Sequence, residues 1–253
     1  MNLDETIGAC PVCATPSISD NWTIIRYPPR FELPDLTYSK CWECGLVYLN
    51  PRMSERETRR FYSEDYRGVL DKVYPVYSVQ RDKSRQTARA NCISGQVGKG
   101  TVASHLDIGS SQGVLLKNIN AVVSIGLEWN DEERAVCNQN GQTVYKEFEE
   151  LPDLKFDLIT LIQVLEHVNY PVDFLLNIKN RMAQDGRLLI EVPNGALNPM
   201  FVPWHPLAFH DKSLKYLLVD MCKFKLHRMI AYNGYLSVDK PAYLLAEVGL
   251  CLI

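Results

Sequence analysis

The sequence predicts an α/β fold in which a parallel sheet carries helices on both faces, behind a small cysteine-rich segment. From about residue 101 onward, apolar runs of strand length alternate with amphipathic stretches of helical length. This alternation is typical of repeated strand–helix units, which form parallel sheets. The first fifty residues differ, because they are rich in proline and cysteine and hold only short strand-like runs at 22–25 and 45–49.

Seven strands and four helices are predicted in the second half of the chain. The strands lie at 102–108, 122–128, 143–145, 156–162, 187–192, 225–231 and 243–252. The helices lie at 113–120, 131–138, 172–183 and 212–221. Residues 51–98 have a pattern typical of helices and lack the alternation of apolar and polar residues that is typical of strands. The chain is therefore predicted to divide into a module at 1–50, a helical connector or substrate lid at 51–98, and a sheet domain at 99–253.

The composition is that of an ordinary globular protein, with 46% apolar and 23% charged residues and a net charge of -3. The negative total argues against a nucleic-acid partner, because phosphate recognition requires a basic surface. Residues 51–100 nevertheless hold eleven Lys and Arg against six Asp and Glu, which is typical of a solvated helix face or of a rim for an anionic substrate. Without a membrane span or signal-peptide pattern, we expect a cytoplasmic protein without membrane contact.

Four of the eight cysteines form two Cys-x-x-Cys pairs, Cys10-Pro-Val-Cys13 and Cys41-Trp-Glu-Cys44, separated by 27 residues. Two such pairs supply four thiolates in the tetrahedral arrangement that zinc favours, and four protein ligands leave no open coordination position. The spacing therefore predicts a structural zinc site. Scattered cysteines predict core packing instead, and these are Cys92, Cys137, Cys222 and Cys251.

A turn of small residues follows the first strand of the predicted sheet, in the stretch His105-Leu-Asp-Ile-Gly-Ser-Ser-Gln-Gly113. Glycines let the backbone approach a ligand, and the following helix offers free N–H donors. Such a turn would serve a dinucleotide equally well. Glu128 then ends the second strand, where it can accept both hydroxyls of a ribose. Glu147-Phe148 follows the third strand and offers an acceptor for an adenine amino group and a ring to stack on it.

One further stretch completes the pattern, Phe156-Asp-Leu-Ile-Thr-Leu-Ile-Gln-Val-Leu-Glu-His-Val168. With it, the chain resembles the class I S-adenosylmethionine-dependent methyltransferases along essentially its whole length. It is most similar to a subgroup whose amino-terminal zinc-binding segment reads Cys-Pro-x-Cys and then Cys-x-x-Cys-Gly-Leu-Val. A Tyr-Ser-Glu-Asp-Tyr stretch follows, here Tyr62 to Tyr66. The resemblance implies a Rossmann-like, seven-stranded methyltransferase sheet and methyl transfer to a small molecule, often a sugar bound to a nucleotide.

The resemblance also implies a cofactor site. Its residues are Asp107, Gly109, Ser110, Gly113, Glu128, Trp129, Glu147, Phe148 and Gln163. Asp107, Gly109 and Gly113 would cradle the methionine part of S-adenosylmethionine. Glu128 would hold the ribose, and the adenine would lie against Trp129, Glu147 and Phe148. The chain departs from the family's commonest turn, Asp-x-Gly-x-Gly-x-Gly, because Ser111 stands in place of the middle glycine.

Methyl transfer is an in-line displacement that needs an aligned nucleophile and often a base. Glu166-His167 follows the fourth strand, at the sheet edge where ligands bind in such folds. In related O-methyltransferases this pair lies near the transfer site, and a further acidic residue sometimes contributes to a metal site. Gln163 occupies the position of that acidic residue here, which argues against a catalytic metal. The stretch from Trp204 resembles the family's His-x-x-x-Phe-(Ser/Thr)-x-x-Ser-Leu segment, so His205 is the predicted base, with Glu166-His167 as the other candidate.

The sequence thus predicts methyl transfer from S-adenosylmethionine to an oxygen or carbon of a small acceptor, such as a saccharide or a nucleotide-linked sugar. Two alternatives stay open. One is an RNA methyltransferase whose zinc module grips RNA, against which the acidic charge counts. The other is an inactive cofactor-binding subunit, an alternative motivated by the departures from the family pattern at Ser111 and Gln163.

Overall fold

The computed structural model of the protein describes residues 1–16, 21–73, 79–98, 100–195, 201–232 and 243–250. In this part of the chain the strands are β1 (Asn21–Ile25), β2 (Leu36–Lys40), β3 (Val47–Leu49), β4 (Val102–Ile108), β5 (Ala121–Leu127), β6 (Thr143–Tyr145), β7 (Phe156–Ile162), β8 (Met182–Pro193), β9 (Leu207–Ala208), β10 (Phe224–Tyr232) and β11 (Tyr243–Leu250). The α-helices are α1 (Glu55–Arg60), α2 (Tyr66–Val73), α3 (Val79–Val97), α4 (Val114–Asn118), α5 (Asp131–Gln139), α6 (Pro171–Lys179) and α7 (Asp211–Lys215).

The larger sheet has seven strands in the order β10-β11-β8-β7-β4-β5-β6. The pairs from β8 through β6 are parallel, and β11 runs antiparallel between β8 and β10. The predicted seven-stranded, Rossmann-like sheet is therefore confirmed. The chain runs from β4 outward to β6 and then returns to β7 on the other side of β4. In open α/β sheets, ligands bind outside the carboxyl ends of the strands at such a switch point.

The helix predicted at 172–183 is too long, since it ends at Lys179, and the strand predicted at 187–192 is too short, since β8 already begins at Met182. The first residues of β8 pair with Phe156 and form a bulge against β7. Gly186 permits this bulge, because a Cβ on it would lie 2.7 Å from the carbonyl oxygen of Phe156. The last predicted strand is present from Tyr243 to Leu250, and its predicted end at 251–252, with Cys251, lies outside the described residues.

The smaller sheet has four strands in the order β1-β2-β3-β9, all antiparallel. The sequence patterns predict β1 and β3 but neither β2 nor β9. The two residues of β9 are extended only because they pair with β3, and they come from far along the chain. The apolar core under the cysteine pairs, including Val12 and Leu46, is continuous with the core of the larger sheet. The division into three units stays a prediction.

The segment between the two sheets is helical, as expected. Ser54 starts α1, because its side chain accepts the N–H of Glu57 at 3.3 Å. A π-helical turn at Phe61–Asp65 continues α1 into α2. Ala90 and Ile93 of α3 pack on an apolar cluster at the larger sheet, whereas α1 reaches the carboxyl ends of its strands. Among the described residues, no helix is long and apolar enough to cross a bilayer.

Candidate functional site

The turn between β4 and α4 begins and ends with a glycine, and a side chain at either position would meet a neighbouring side chain. Gly109 has a φ of +75°, and a Cβ on it would lie 2.4 Å from Cγ2 of Val164. Gly113 precedes α4 with a φ of +71°, and its Cβ would lie 2.2 Å from Oε1 of Gln142. The backbone conformation favours glycine at both positions, and at Gly109 the space beside Val164 excludes a side chain as well. Ser111 also has a positive φ, +46°, so the turn keeps the conformation expected of a glycine there.

Glu128 connects this turn to the end of β5. Its Oε2 accepts the N–H of Ser111 at 2.8 Å, and its Oε1 accepts the N–H of Asn130 at 2.8 Å. Burial raises the pKa of this carboxyl, and the two backbone hydrogen bonds oppose that increase. Each carboxylate oxygen has a second lone pair. Because Glu128 lines a cavity, its carboxylate can also accept hydrogen bonds from the diol of a ligand.

Asp107 and Ser110 lie behind the turn and do not line the cavity. Asp107 is buried and accepts a hydrogen bond from Oγ1 of Thr160 at 2.6 Å. Burial raises the pKa of Asp107 to about 7. Ser110 is buried as well, with its Oγ 2.6 Å from the position that a Cβ on Gly126 would take. Gly113, at the end of the turn, does not line the cavity either.

Trp129, Glu147 and Phe148 line the cavity beside the ends of β5 and β6. Trp129 is 41% exposed, and Phe148 packs edge-on against Phe174 with ring centroids 5.9 Å apart. Arg59 of α1 covers this part of the cavity. Its guanidinium lies 4.9 Å from the ring centroid of Trp129 and pairs with Glu147 at 2.8 Å. The predicted site lacks Arg59, because one arginine among the many charges of α1 gives no sequence signal.

Gln163 and His167 line the cavity on the other side of β4, beyond the end of β7. The side-chain amide of Gln163 donates to Oε1 of Glu191 at 3.1 Å. Nδ1 of His167 lies 2.7 Å from the carbonyl oxygen of Trp204 and 2.7 Å from Oη of Tyr62. A carbonyl oxygen can only accept, so Nδ1 carries the proton. Since burial lowers the pKa of His167 to about 4, the ring is neutral and Nε2 is its basic nitrogen.

Glu166 and His205 lie next to His167 but do not line the cavity. Glu166 is 2% exposed and His205 is 6% exposed. One carboxylate oxygen of Glu166 and one ring nitrogen of each histidine lie within 4.8 Å of one another, and the two imidazole centroids are 4.6 Å apart. Burial raises the pKa of Glu166 to about 8. The three predicted catalytic residues thus form one cluster, in which Glu166 and His205 are buried and the half-buried His167 faces the cavity.

The four cysteines of the two pairs lie together at the edge of the smaller sheet, with their sulfur atoms within 4.8 Å of one another. The Sγ atoms of Cys10 and Cys44 are 3.6 Å apart, and those of Cys13 and Cys41 are 3.4 Å apart. A tetrahedral zinc site with Zn–S bonds of about 2.3 Å has sulfur–sulfur edges of roughly 3.8 Å, so this donor set fits zinc. The hydrogen bond between Cys10 and Cys44 lowers the pKa of Cys10 to about 5 and raises the pKa of Cys44, so these two thiols share one proton.

The cavity that these elements enclose has a volume of about 710 Å³, within the range of small-molecule sites. Among the described residues that line it, the acidic ones are Glu55, Glu128, Glu133, Glu147, Glu149 and Asp173. The basic ones are Arg59, Lys146 and Arg181. Arg59 pairs with Glu147, Lys146 pairs with Asp131, and Arg181 donates to the carbonyl oxygens of Pro152 and Phe148. The lining is therefore negative overall, and its cations are already engaged.

Comparison with known proteins identifies the family. Residues 78–237 match the family described as Methyltransferase domain, and the chain belongs to it. The chain therefore contains a methyltransferase domain. It is also 29% identical to the mitochondrial ubiquinone biosynthesis O-methyltransferase of Candida albicans, over 41% of this chain and 35% of that protein. The match thus spans about a third of the length of this curated relative.

Solved structures show the same fold. One chain of the complex between the Haloferax volcanii Trm112 methyltransferase activator and a methyltransferase superposes with a TM-score of 0.59 at 12% identity, covering 68% of this chain and 92% of that chain. The plantazolicin methyltransferase BpumL, solved in complex with S-adenosylhomocysteine, superposes with a TM-score of 0.56 at 13% identity, covering 78% and 95%. At these identities the likeness shows that the chain has the fold of S-adenosylmethionine-dependent methyltransferases.

Proposed function

We propose that the cavity binds S-adenosylmethionine and that the protein transfers its methyl group to a small-molecule acceptor. The observation that carries the proposal is the carboxylate of Glu128, which bonds to the glycine turn and still faces the cavity. Glu128 would hold the ribose, and Gly109 would allow the methionine part to approach the backbone. Asp107, Ser110 and Gly113 would act indirectly, by supporting the turn.

The adenine is proposed to lie beside the ends of β5 and β6. Trp129 and Phe148 provide aromatic surface there, and Glu147 provides an acceptor for the amino group. Gln163 lies on the other side of β4, where its side chain is held by Glu191. Bound in this orientation, S-adenosylmethionine would present an electrophilic methyl group on its sulfonium toward the side of the cavity that His167 lines.

For the chemistry, we propose that His167 and His205 act as a pair in which Nε2 of His167 accepts the proton of the acceptor. His167 lines the cavity with Nε2 as its basic nitrogen, and the ring of His205 packs against it at 4.6 Å. The predicted base His205 would thus act through His167, by holding its ring, and would not contact the acceptor. Glu166, whose pKa is about 8, would be an uncharged carboxyl at neutral pH and would add no negative charge beside the two histidines. Removing a general base lowers rates by about 100- to 10,000-fold.

We further propose that the acceptor is methylated on oxygen and that it is an uncharged molecule such as a saccharide. The Candida albicans relative is an O-methyltransferase by name, which supports an oxygen nucleophile. The described lining holds twice as many acidic as basic side chains, and each basic one is already paired. Such a lining disfavours phosphate groups, and therefore both a nucleotide-linked sugar and RNA.

Titration calorimetry with S-adenosylhomocysteine and with NAD⁺ tests the cofactor proposal. We expect binding of S-adenosylhomocysteine and not of NAD⁺. Glu128→Ala should weaken that binding roughly 10- to 150-fold, because it removes a charged acceptor for two hydroxyls. Glu132→Ala is the matched control, since Glu132 is exposed on the neighbouring helix α5 and does not line the cavity. Equal affinities of the two variants, or a preference for NAD⁺, would contradict the proposal.

We propose a structural zinc ion at Cys10, Cys13, Cys41 and Cys44, where it would bind four thiolates and link the two knuckles. Its support is the sulfur–sulfur separations of 3.4 and 3.6 Å. Elemental analysis of protein prepared without chelator should find one zinc per chain. Cys13→Ser should lower both the zinc content and the thermal midpoint of unfolding, because metal binding contributes folding free energy. Cys92→Ser on α3 is the control and should leave the zinc content unchanged. Zinc well below one per wild-type chain would refute the assignment.

A further inference from the structure

The segment 201–210, which carries His205, is attached to the smaller sheet along its length. Its residues Leu207 and Ala208 form β9 and pair with β3, and the N–H of Leu49 at the end of β3 donates to the carbonyl oxygen of Pro206 at 2.8 Å. The antiparallel pairing extends the smaller sheet, so the backbone on the carboxyl side of His205 follows the position of β3.

Tyr38 of β2 attaches the same segment on the other side of His205. The tyrosine is fully buried, and its Oη lies 2.8 Å from the carbonyl oxygen of His205 and 3.2 Å from that of Val202. A hydroxyl has one proton to donate, and the shorter contact to His205 has the better geometry. The ring of Tyr38 also packs on Phe201, with centroids 4.4 Å apart.

His210 provides a third attachment, directly beside the cysteine cluster. Its Nε2 donates to the carbonyl oxygen of Gly45 at 2.7 Å, and its Nδ1 accepts the N–H of Ser213 at the start of α7. Gly45 follows Cys44 and has a φ of +75°; a Cβ there would lie 2.9 Å from Nε2 of His210. The second cysteine knuckle is therefore in direct contact with the segment that bears His205.

We infer that the smaller sheet, with its cysteine cluster, positions His205 against His167, and that Tyr38 is the positioning residue. This inference rests on the proposed function, because it takes His205 as part of the proton-accepting pair. It gives the amino-terminal module a role at the acceptor side of the reaction. The three attachments come from β2, β3 and the loop after Cys41, so they hold the segment as one unit. The cofactor turn, in contrast, is built within the larger sheet.

Hydrogen exchange and histidine modification of the full-length protein test the inference without an acceptor. Tyr38→Phe keeps the ring and removes only the donor to His205. We expect the amides of 201–210 to exchange roughly fivefold faster, as for the loss of one hydrogen bond. Carbethoxylation of His205 by diethyl pyrocarbonate should accelerate similarly, because this buried ring becomes accessible. Affinity for S-adenosylhomocysteine should stay within about twofold of wild type.

Two further variants make the test specific. Tyr145→Phe makes the same chemical change in the larger sheet and should leave exchange in 201–210 unaltered. His210→Asn keeps a residue that starts helices well but is too short to reach Gly45, so it should accelerate exchange in 201–210 while α7 stays protected. Such an asparagine variant also covers the case in which Tyr38→Phe folds poorly.

Unchanged exchange of 201–210 in both Tyr38→Phe and His210→Asn would overturn the inference. It would also fail if Tyr38→Phe accelerated exchange equally in β4 and β5, since the effect would then be global. Weakened S-adenosylhomocysteine binding in Tyr38→Phe would place the action of the smaller sheet at the cofactor site instead. Absence of that binding in the wild-type protein would refute the proposed function, while the exchange comparison reports separately on the attachment of His205.

Discussion

Replacing Glu166 by glutamine is expected to stabilise the protein at neutral pH and to have little effect near pH 4. Burial raises the pKa of Glu166 from 4.5 to about 8 in the folded protein. The folded state therefore keeps a proton that the unfolded chain releases, and stability falls as pH rises from 4.5 toward 8. A pH of 7 lies 2.5 units above the unfolded pKa. At about 1.36 kcal/mol per unit, the folded protein therefore loses about 3 kcal/mol of stability by keeping this proton. Glutamine resembles the neutral carboxyl in shape and has no proton to release, so the variant does not lose this stability.

Urea unfolding of the wild-type and Glu166→Gln proteins between pH 4 and 8 measures this effect. The difference in unfolding free energy should grow with pH and reach about 3 kcal/mol at pH 7. Asp107, whose pKa is raised to about 7, contributes the same slope to both proteins and cancels in the difference. Parallel pH profiles would refute the reasoning, because they would mean that Glu166 is ionised in the folded protein.

Arg59→Ala should weaken S-adenosylhomocysteine binding by about fivefold, because Arg59 orients Trp129 and Glu147 through a cation–π contact and an ion pair. Arg60→Ala, whose side chain pairs with Glu57 and Asp65 outside the cavity, should bind normally; equal losses in both variants would exclude a specific role. Gly113→Ala should destabilise the fold by about 1–3 kcal/mol, since alanine is strained at a φ of +71° and would meet Gln142. An unchanged urea midpoint would contradict that account.

Much of the larger sheet could be predicted from the sequence, because its strands are continuous apolar runs that can be recognised without knowing which strands they pair with. The strand at 156–162 is predicted with the observed bounds. The cysteine pairs are equally local, since two Cys-x-x-Cys knuckles specify four thiolates wherever the chain brings them together. The acidic ends of β5 and β6 could also be identified, because parallel strands bring their carboxyl ends to one edge of the sheet.

Other features depend on contacts between residues far apart in sequence. The two residues of β9 have no strand pattern of their own and are extended because β3 supplies their hydrogen-bonding partners. Arg59 and Tyr38 carry no local signal either, since each contacts a group about 70 or more residues away.

The sequence by itself determined the fold class, the glycine turn and the cysteine set, since each follows from local pattern and spacing. Only the tertiary structure separates His167, which faces the cavity, from Glu166 and His205, which lie buried behind it. The direction of a side chain at the end of a strand depends on how the neighbouring segments pack. Here those segments are the connector and 201–210, and their positions are set by long-range hydrogen bonds and burial.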